Sequence, residues 1–269
     1  VIVGGAVASF AVAAIVAQQA NTAPAAAMAP RSVPGPAVRF GALPSGPVAQ
    51  DLGPSIRALS AVRPEQTAPK PSILVSIPHA MPIIARAGGG PTVGWMPAGS
   101  KYYGVPLTAW VLEVSKDRRY GRVAVPYSGS NRTGWIALKG LARHSTPFEV
   151  TVDLSRRLVT VTRLGKVVYR TSGAIGAPAS PTPPGRYFVT DRVPFSRGSS
   201  LGSFAFGISG IQTHLPAGWS GGNQLAIHGT NAPWTIGTRA SAGCVRVSEA
   251  ALAKLKPWLQ LGTPVVIRP

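Results

Sequence analysis

Two patterns of apolar and polar positions divide this 269-residue chain. After residue 70, short apolar runs alternate with a period of two and are broken every few residues by Gly or Pro, which predicts strands joined by tight turns. Phe148-Glu149-Val150-Thr151-Val152-Asp153-Leu154 and Arg157-Leu158-Val159-Thr160-Val161-Thr162 show this alternation most clearly. Leu164-Gly165-Lys166 then supplies a turn before Val167-Val168-Tyr169-Arg170, so a β meander is expected. Thr182-Pro183-Pro184-Gly185 reads as a rigid turn leading into another strand, and Thr263 to Ile267 as a last one. Helical spacing is confined to Ser248-Glu249-Ala250-Ala251-Leu252-Ala253-Lys254-Leu255, where Ser248 stands at the cap position.

Between Ser72 and Leu141 the runs ILVSI, GWMPAGS, AWVLEVS, GRVAVPY and TGWIAL predict a small barrel of about five strands. Trp110 to Val114 and Arg122 to Val125 form a hairpin around Lys116 to Gly121, and Thr133-Gly134-Trp135-Ile136 closes it. Trp95, Trp110 and Trp135 serve either the core or a binding surface. His79 and His144 have no partners at ligand spacing and are expected on the surface.

The first seventy residues differ. Val1 to Ala17 carries no charge, and the first charged residue is Arg31, so residues 1–20 are expected to be a signal peptide or a membrane anchor. Residues 21–71 hold Pro at 24, 30, 34, 36, 44, 47, 54, 64 and 69, a composition that buries too little surface to offset its ordering entropy. A disordered Pro/Ala-rich tether is expected there.

Composition sharpens this picture. With 45% apolar residues and six Trp the chain can bury a real core, while 31 Gly, 27 Pro and only 13% charged residues favour turn-rich β structure. The net charge of +19 implies a polyanionic neighbour. Lys and Arg are not gathered into one run and do not interleave with aromatic residues, which argues against nucleic acid as that neighbour. The single cysteine excludes an intramolecular disulfide and a multi-Cys zinc site.

That cysteine stands in Ser241-Ala242-Gly243-Cys244-Val245-Arg246, downstream of Ile227-His228-Gly229-Thr230. At a reference pKa of ~8.5 a lone thiol is a weak nucleophile at neutral pH and needs a base. His228 is the candidate, with a turn carbonyl near Gly229 fixing its tautomer. The small residues around the thiol let the backbone bend so that the N–H groups of Gly243 and Cys244 face the oxygen of a tetrahedral intermediate. Arg246, two residues on, lies on the same strand face as Cys244 and is suited to a substrate carboxylate. Thr230, Asn231, Ser241 and Trp234 are further candidates for substrate contact. His214 is expected in a solvated loop, and Trp219 in either a groove or the core.

HGT followed by SxGCxR resembles the catalytic signature of the L,D-transpeptidase (YkuD-type) family. VDLSRRLVTVTRLGKVVYRTSGAIG and PTPPGRYFVTDRV are similar to its opening strands and its Pro-rich turn. The family often has His where this chain has Ala242. The middle segment, through TGWI above all, resembles the bacterial SH3-like domain. Together the resemblances imply a mainly β protein: an SH3-like barrel over residues 72–145 and a β-sandwich-like catalytic domain over residues 146–269, following the tether. They also imply acyl transfer on peptidoglycan. Cys244 would attack the third residue of a donor tetrapeptide and release D-alanine, and an amine of a second stem would take the acyl group. No cofactor is implied. The implied partners are stem peptides and glycan, with acylation of Cys244 by carbapenems and, for the chain itself, a monomer in the cell envelope. A carboxypeptidase on the same scaffold and a non-catalytic wall-binding protein are the alternatives.

Overall fold

The computed structural model describes residues 70–129, 132–196 and 198–269. The expected signal or anchor, and all but the end of the expected tether, lie outside the described residues. No helix among the described residues is long and apolar enough to cross a membrane.

Eight strands make up the amino-terminal part: β1 (Ser72–Ser76), β2 (Met81–Arg86), β3 (Gly89–Met96), β4 (Thr108–Val111), β5 (Glu113–Val114), β6 (Tyr120–Ala124), β7 (Thr133–Ala137) and β8 (Arg143–Thr146). They form a three-stranded sheet in the order β4-β1-β8 and a five-stranded one in the order β3-β2-β7-β6-β5. The strands outnumber the five expected partly because the run from Trp110 to Val114 divides at Leu112. Its first half pairs with β1 and its second with β6. The hairpin read from the sequence is present. Arg118 takes a left-handed conformation at its turn, and the Asp117 carboxylate accepts from Ser115 Oγ at 2.6 Å and from the Arg119 N–H at 3.1 Å.

The core between these sheets is aliphatic, with Val75, Ile83, Met96, Val123 and Ile136 all fully buried. The tryptophans stay out of its centre. In β7 the buried positions are Gly134 and Ile136, so period two turns Trp135 the other way. Trp110 is likewise half-buried, and Trp95 is 60% exposed. His79 and His144 are exposed, as expected.

The second part begins at β9 (Phe148–Asp153) and continues through β10 (Leu158–Arg163), β11 (Lys166–Ser172), β12 (Ile175–Gly176), β13 (Gly185–Pro194), β14 (Phe204–Ile211), β15 (Gln224–His228), β16 (Arg239–Ser241) and β17 (Val245–Arg246) to helix α1 (Glu249–Leu255) and β18 (Pro264–Arg268). Eight of these strands form one sheet in the order β11-β10-β9-β18-β13-β14-β15-β17, and β12 pairs with β16 apart from it. The meander β9-β10-β11 closes through Leu164 and Gly165, both left-handed, as a two-residue hairpin turn requires. Helix α1 starts where its cap was expected: Ser248 Oγ accepts the N–H of Ala251 at 3.2 Å. It buries Ala251, Leu252 and Leu255 in the same core as Ile227 and Val245.

The two parts share a side chain. Phe188 of β13 is fully buried and belongs to the amino-terminal core cluster, not to the core of its own sheet. The Tyr127 N–H also donates to Ser209 O at 2.8 Å.

Candidate active site

Strands β15 and β17 run parallel and in register, Ile227 beside Val245 and His228 beside Arg246. Alternation then sorts their side chains by face. Leu225, Ile227 and Val245 point into the core and are almost completely buried. Ala226 and His228, with Cys244 and Arg246, take the opposite face. Burial of the aliphatic face therefore fixes the face that carries the chemistry. β17 is held from its other side as well, where Arg246 and Ala174 exchange both backbone hydrogen bonds at 2.8 Å.

His228 is 3% exposed, and its Nδ1–H donates to the carbonyl of Gly229 at 2.5 Å. A carbonyl can only accept, so the proton resides on Nδ1 and Nε2 keeps its lone pair. Burial brings the ring's pKa down to about 4. The Gly229 carbonyl opposes that shift, the Arg246 charge reinforces it, and a backbone contact with Leu201 opposes it again. The ring is therefore neutral at pH 7 and able to accept a proton.

Cys244 is half-buried, and its thiol donates to Gln224 O at 3.9 Å. Burial pushes the thiol up, against the pull of the Ala226 backbone and of Arg246. Arg246 is 8% exposed, its Nε is buried without a hydrogen-bond partner, and it joins neither ion pair found among the described residues. A buried cation with no carboxylate beside it suits an incoming anionic group.

The turn before Cys244 differs from the expectation. The N–H of Gly243, expected to face a substrate oxygen, donates instead to Ser241 Oγ at 3.1 Å. Ser241, expected to bind substrate, is 3% exposed, and its hydroxyl also donates to Cys244 O at 2.6 Å. Donor and acceptor both serve the turn, because a tight reversal leaves backbone groups that need local partners. The N–H of Cys244 has no hydrogen-bond partner among the described residues. Gly243 contributes a φ of +120° and the lack of a Cβ, which would collide with the Gln212 side chain.

Gly229 orients and does not donate to the site: its carbonyl holds His228, and its N–H goes to Phe204 O at 3.2 Å. It sits where a Cβ would strike the Glu249 carboxylate. Thr230 is buried, and its Oγ1 accepts the Ala232 N–H at 3.0 Å. Asn231 is exposed, with Nδ2 3.4 Å from Gly198 O. Trp234 stands 79% exposed on the single turn of 3-10 helix, Pro233–Thr235. His214 is exposed, as expected, and Trp219 is half-buried with its indole N–H on Gly222 O at 3.2 Å.

Three polar side chains around this site escaped the sequence reading. Gln212 is 2% exposed and donates to Pro181 O at 2.9 Å and Ala242 O at 3.3 Å, while its carbonyl accepts the His214 N–H at 2.9 Å. Gln224 Nε2 donates to Asp191 Oδ2 at 2.8 Å and to Thr190 Oγ1 at 2.9 Å. Asp191 is fully buried, and its Oδ1 has no partner. No group of His, Cys, Asp and Glu suited to a metal ion occurs among the described residues.

The family model for the L,D-transpeptidase catalytic domain, YkuD, matches residues 147–267. The YkuD protein of Bacillus licheniformis is 27% identical over 135 residues, covering 50% of this chain and 74% of that protein. Among solved structures, Bd1075 of Bdellovibrio bacteriovorus is 25% identical with a TM-score of 0.36, over 46% of this chain and 48% of that one. The L,D-transpeptidase of Mycobacterium smegmatis is 14% identical with a TM-score of 0.39, over 72% and 99%. Residues 147–267, in which a neutral histidine and a lone thiol share one sheet face, are thus similar to the YkuD family of L,D-transpeptidase catalytic domains.

Proposed function

We propose that this protein is a peptidoglycan L,D-transpeptidase that carries its acyl group on Cys244. The observation that supports the reading most directly is the in-register pairing of β15 with β17, which gives a neutral imidazole, a thiol and an unpaired guanidinium one common face. His228 Nε2 takes the thiol proton as Cys244 Sγ attacks the carbonyl of the donor's third residue. The tetrahedral intermediate collapses with cleavage of the C–N bond to D-alanine, whose amine receives the proton from His228. A thioester remains. The amine of an acceptor stem then attacks it, His228 removes the amine's extra proton, and the thiol is regenerated as the amide cross-link forms. Arg246 holds a carboxylate of the stem, and Thr230, Asn231 and Trp234 border its path. A carbapenem ring would acylate Cys244 by the same opening step.

The charge of +19 favours adsorption to an acidic wall polymer. In this reading the enzyme works outside the membrane, secreted or anchored through its amino terminus, as a monomer, with residues 72–145 as an SH3-like module that holds it to the wall. Intact-mass spectrometry of the full chain with a disaccharide tetrapeptide tests the reaction. Wild type is expected to gain the donor minus D-alanine, and Cys244→Ala to gain nothing. Dimeric muropeptide at late times identifies transfer, whereas tripeptide alone would assign the scaffold to hydrolysis.

A further inference from the structure

Gln212 takes no part in the chemistry above, yet its amide touches the backbone on three sides of the nucleophile turn. Its partners are Pro181 O in the Pro-rich segment before β13, Ala242 O within the turn, and the His214 N–H in the loop that leaves β14. The side chain is 2% exposed. Burying an amide without partners costs free energy, so three bonds to three segments fix its position as well as theirs.

The peptide unit between Ala242 and Gly243 is consequently held at both ends. Gln212 Nε2 holds its carbonyl, and Ser241 Oγ holds its N–H. A planar peptide gripped at both ends has no remaining rotation about its own axis. That restraint matters because the next residue is glycine. Gly243 adopts a φ of +120°, and without a Cβ its own conformational limits would leave the following N–H free to swing. That following N–H belongs to Cys244 and has no hydrogen-bond partner among the described residues. The Gln212 amide also fills the space a Cβ on Gly243 would need, so clamp and glycine fit one another.

We infer that Gln212 is a positioning residue for acyl transfer: it locks the 242–243 peptide so that the Cys244 N–H is aimed at the oxygen that becomes anionic in the tetrahedral intermediate. The inference rests on the acyl-transfer reading. It separates two reactions of the same thiol. Acylation builds negative charge on a carbonyl oxygen and needs the aimed N–H. Alkylation by iodoacetamide forms an S–C bond, expels iodide, and needs only the thiolate.

The test uses the full chain as wild type, Gln212→Met, which preserves volume but removes both donors and the acceptor, and Gln212→Glu, which keeps the acceptor for His214. Both variants are expected to lower the rate of acylation by disaccharide tetrapeptide by roughly 10- to 100-fold, with the iodoacetamide rate and its pH dependence held within about twofold. Equal loss in both reactions would reduce Gln212 to a structural residue and overturn the inference, as would unchanged acylation. A variant that does not fold loses both reactions, and the other variant then decides. A wild type that is alkylated at Cys244 but never acylated would instead overturn the acyl-transfer reading, and the inference with it.

Discussion

His228 and Arg246 are direct neighbours across the parallel pair β15–β17, a buried ring beside a buried cation on one face of the sheet. After burial, which dominates both shifts, the Arg246 charge acts on the two reacting groups in useful directions. It disfavours the protonated ring of His228 and favours the thiolate of Cys244. One guanidinium thus supports the base form of the histidine and the nucleophilic form of the cysteine together. The resting pair is nevertheless neutral, because burial lowers His228 to about 4 and raises Cys244 above its ordinary value.

A neutral resting pair predicts the pH dependence of thiol alkylation. The iodoacetamide rate should keep rising above about pH 8.5, the ordinary thiol value, and show no plateau near neutrality. Arg246→Met removes the charge at similar length and should lower the rate at neutral pH severalfold, because the thiolate loses the cation that favours it. Stopped-time alkylation followed by intact mass across pH measures both. A plateau already reached at neutral pH in wild type would mean a preformed thiolate and an imidazolium partner.

The same buried ring makes stability depend on pH. His228 has a folded value of about 4 against 6.5 for an unperturbed imidazole, so the unfolded chain binds the proton more tightly between these limits. Its contribution is fully present above about pH 6.5 and is lost as pH falls through 4, about 3 kcal/mol in all. Urea midpoints of wild type should drop over that window, and those of His228→Gln should drop less. Parallel curves for the two proteins would show that the ring takes up its proton as readily in the fold as in the unfolded chain.

How much of this was legible in the sequence depended on how far each residue's partners lie along the chain. The β meander, the hairpin at Leu164-Gly165 and the Ser248 cap are local, and period, turn chemistry and cap position revealed them. His228, Cys244 and Arg246 were singled out by short strings, and the parallel pairing of β15 with β17 brings them to one face. The division of work within the turn was not visible. A hydroxyl at Ser241 reads equally as a substrate contact or as a backbone partner, and only the folded reversal shows it holding Gly243 and Cys244. Gln212 had no signature, because its partners are backbone carbonyls 31 and 30 residues away. The tryptophans of the amino-terminal part were ambiguous for another reason: with Gly134 and Ile136 facing inward, period two sends Trp135 to the other face, and residue type alone does not give the phase.

Phe188 predicts how the two parts unfold. Its strand, β13, lies in the middle of the eight-stranded sheet, paired on one side with β18 and on the other with β14, which in turn pairs with β15. Its ring is fully buried in the amino-terminal core cluster with Ile83, Met96 and Val123, and its backbone N–H donates to Ser209 Oγ at 3.2 Å. Removing the ring leaves a cavity in one core by a change made in the other part's sheet. Phe188→Ala should therefore cost about 3–5 kcal/mol, the range for emptying a large aromatic site, and should lower the unfolding of both parts together. Differential scanning calorimetry alongside tryptophan fluorescence measures this, because Trp95, Trp110 and Trp135 report the amino-terminal part and Trp258 reports the sheet core near α1. Coincident transitions that shift together are expected. Two separated transitions, of which only one moves, would show that the shared phenylalanine does not couple the cores and that each part unfolds alone.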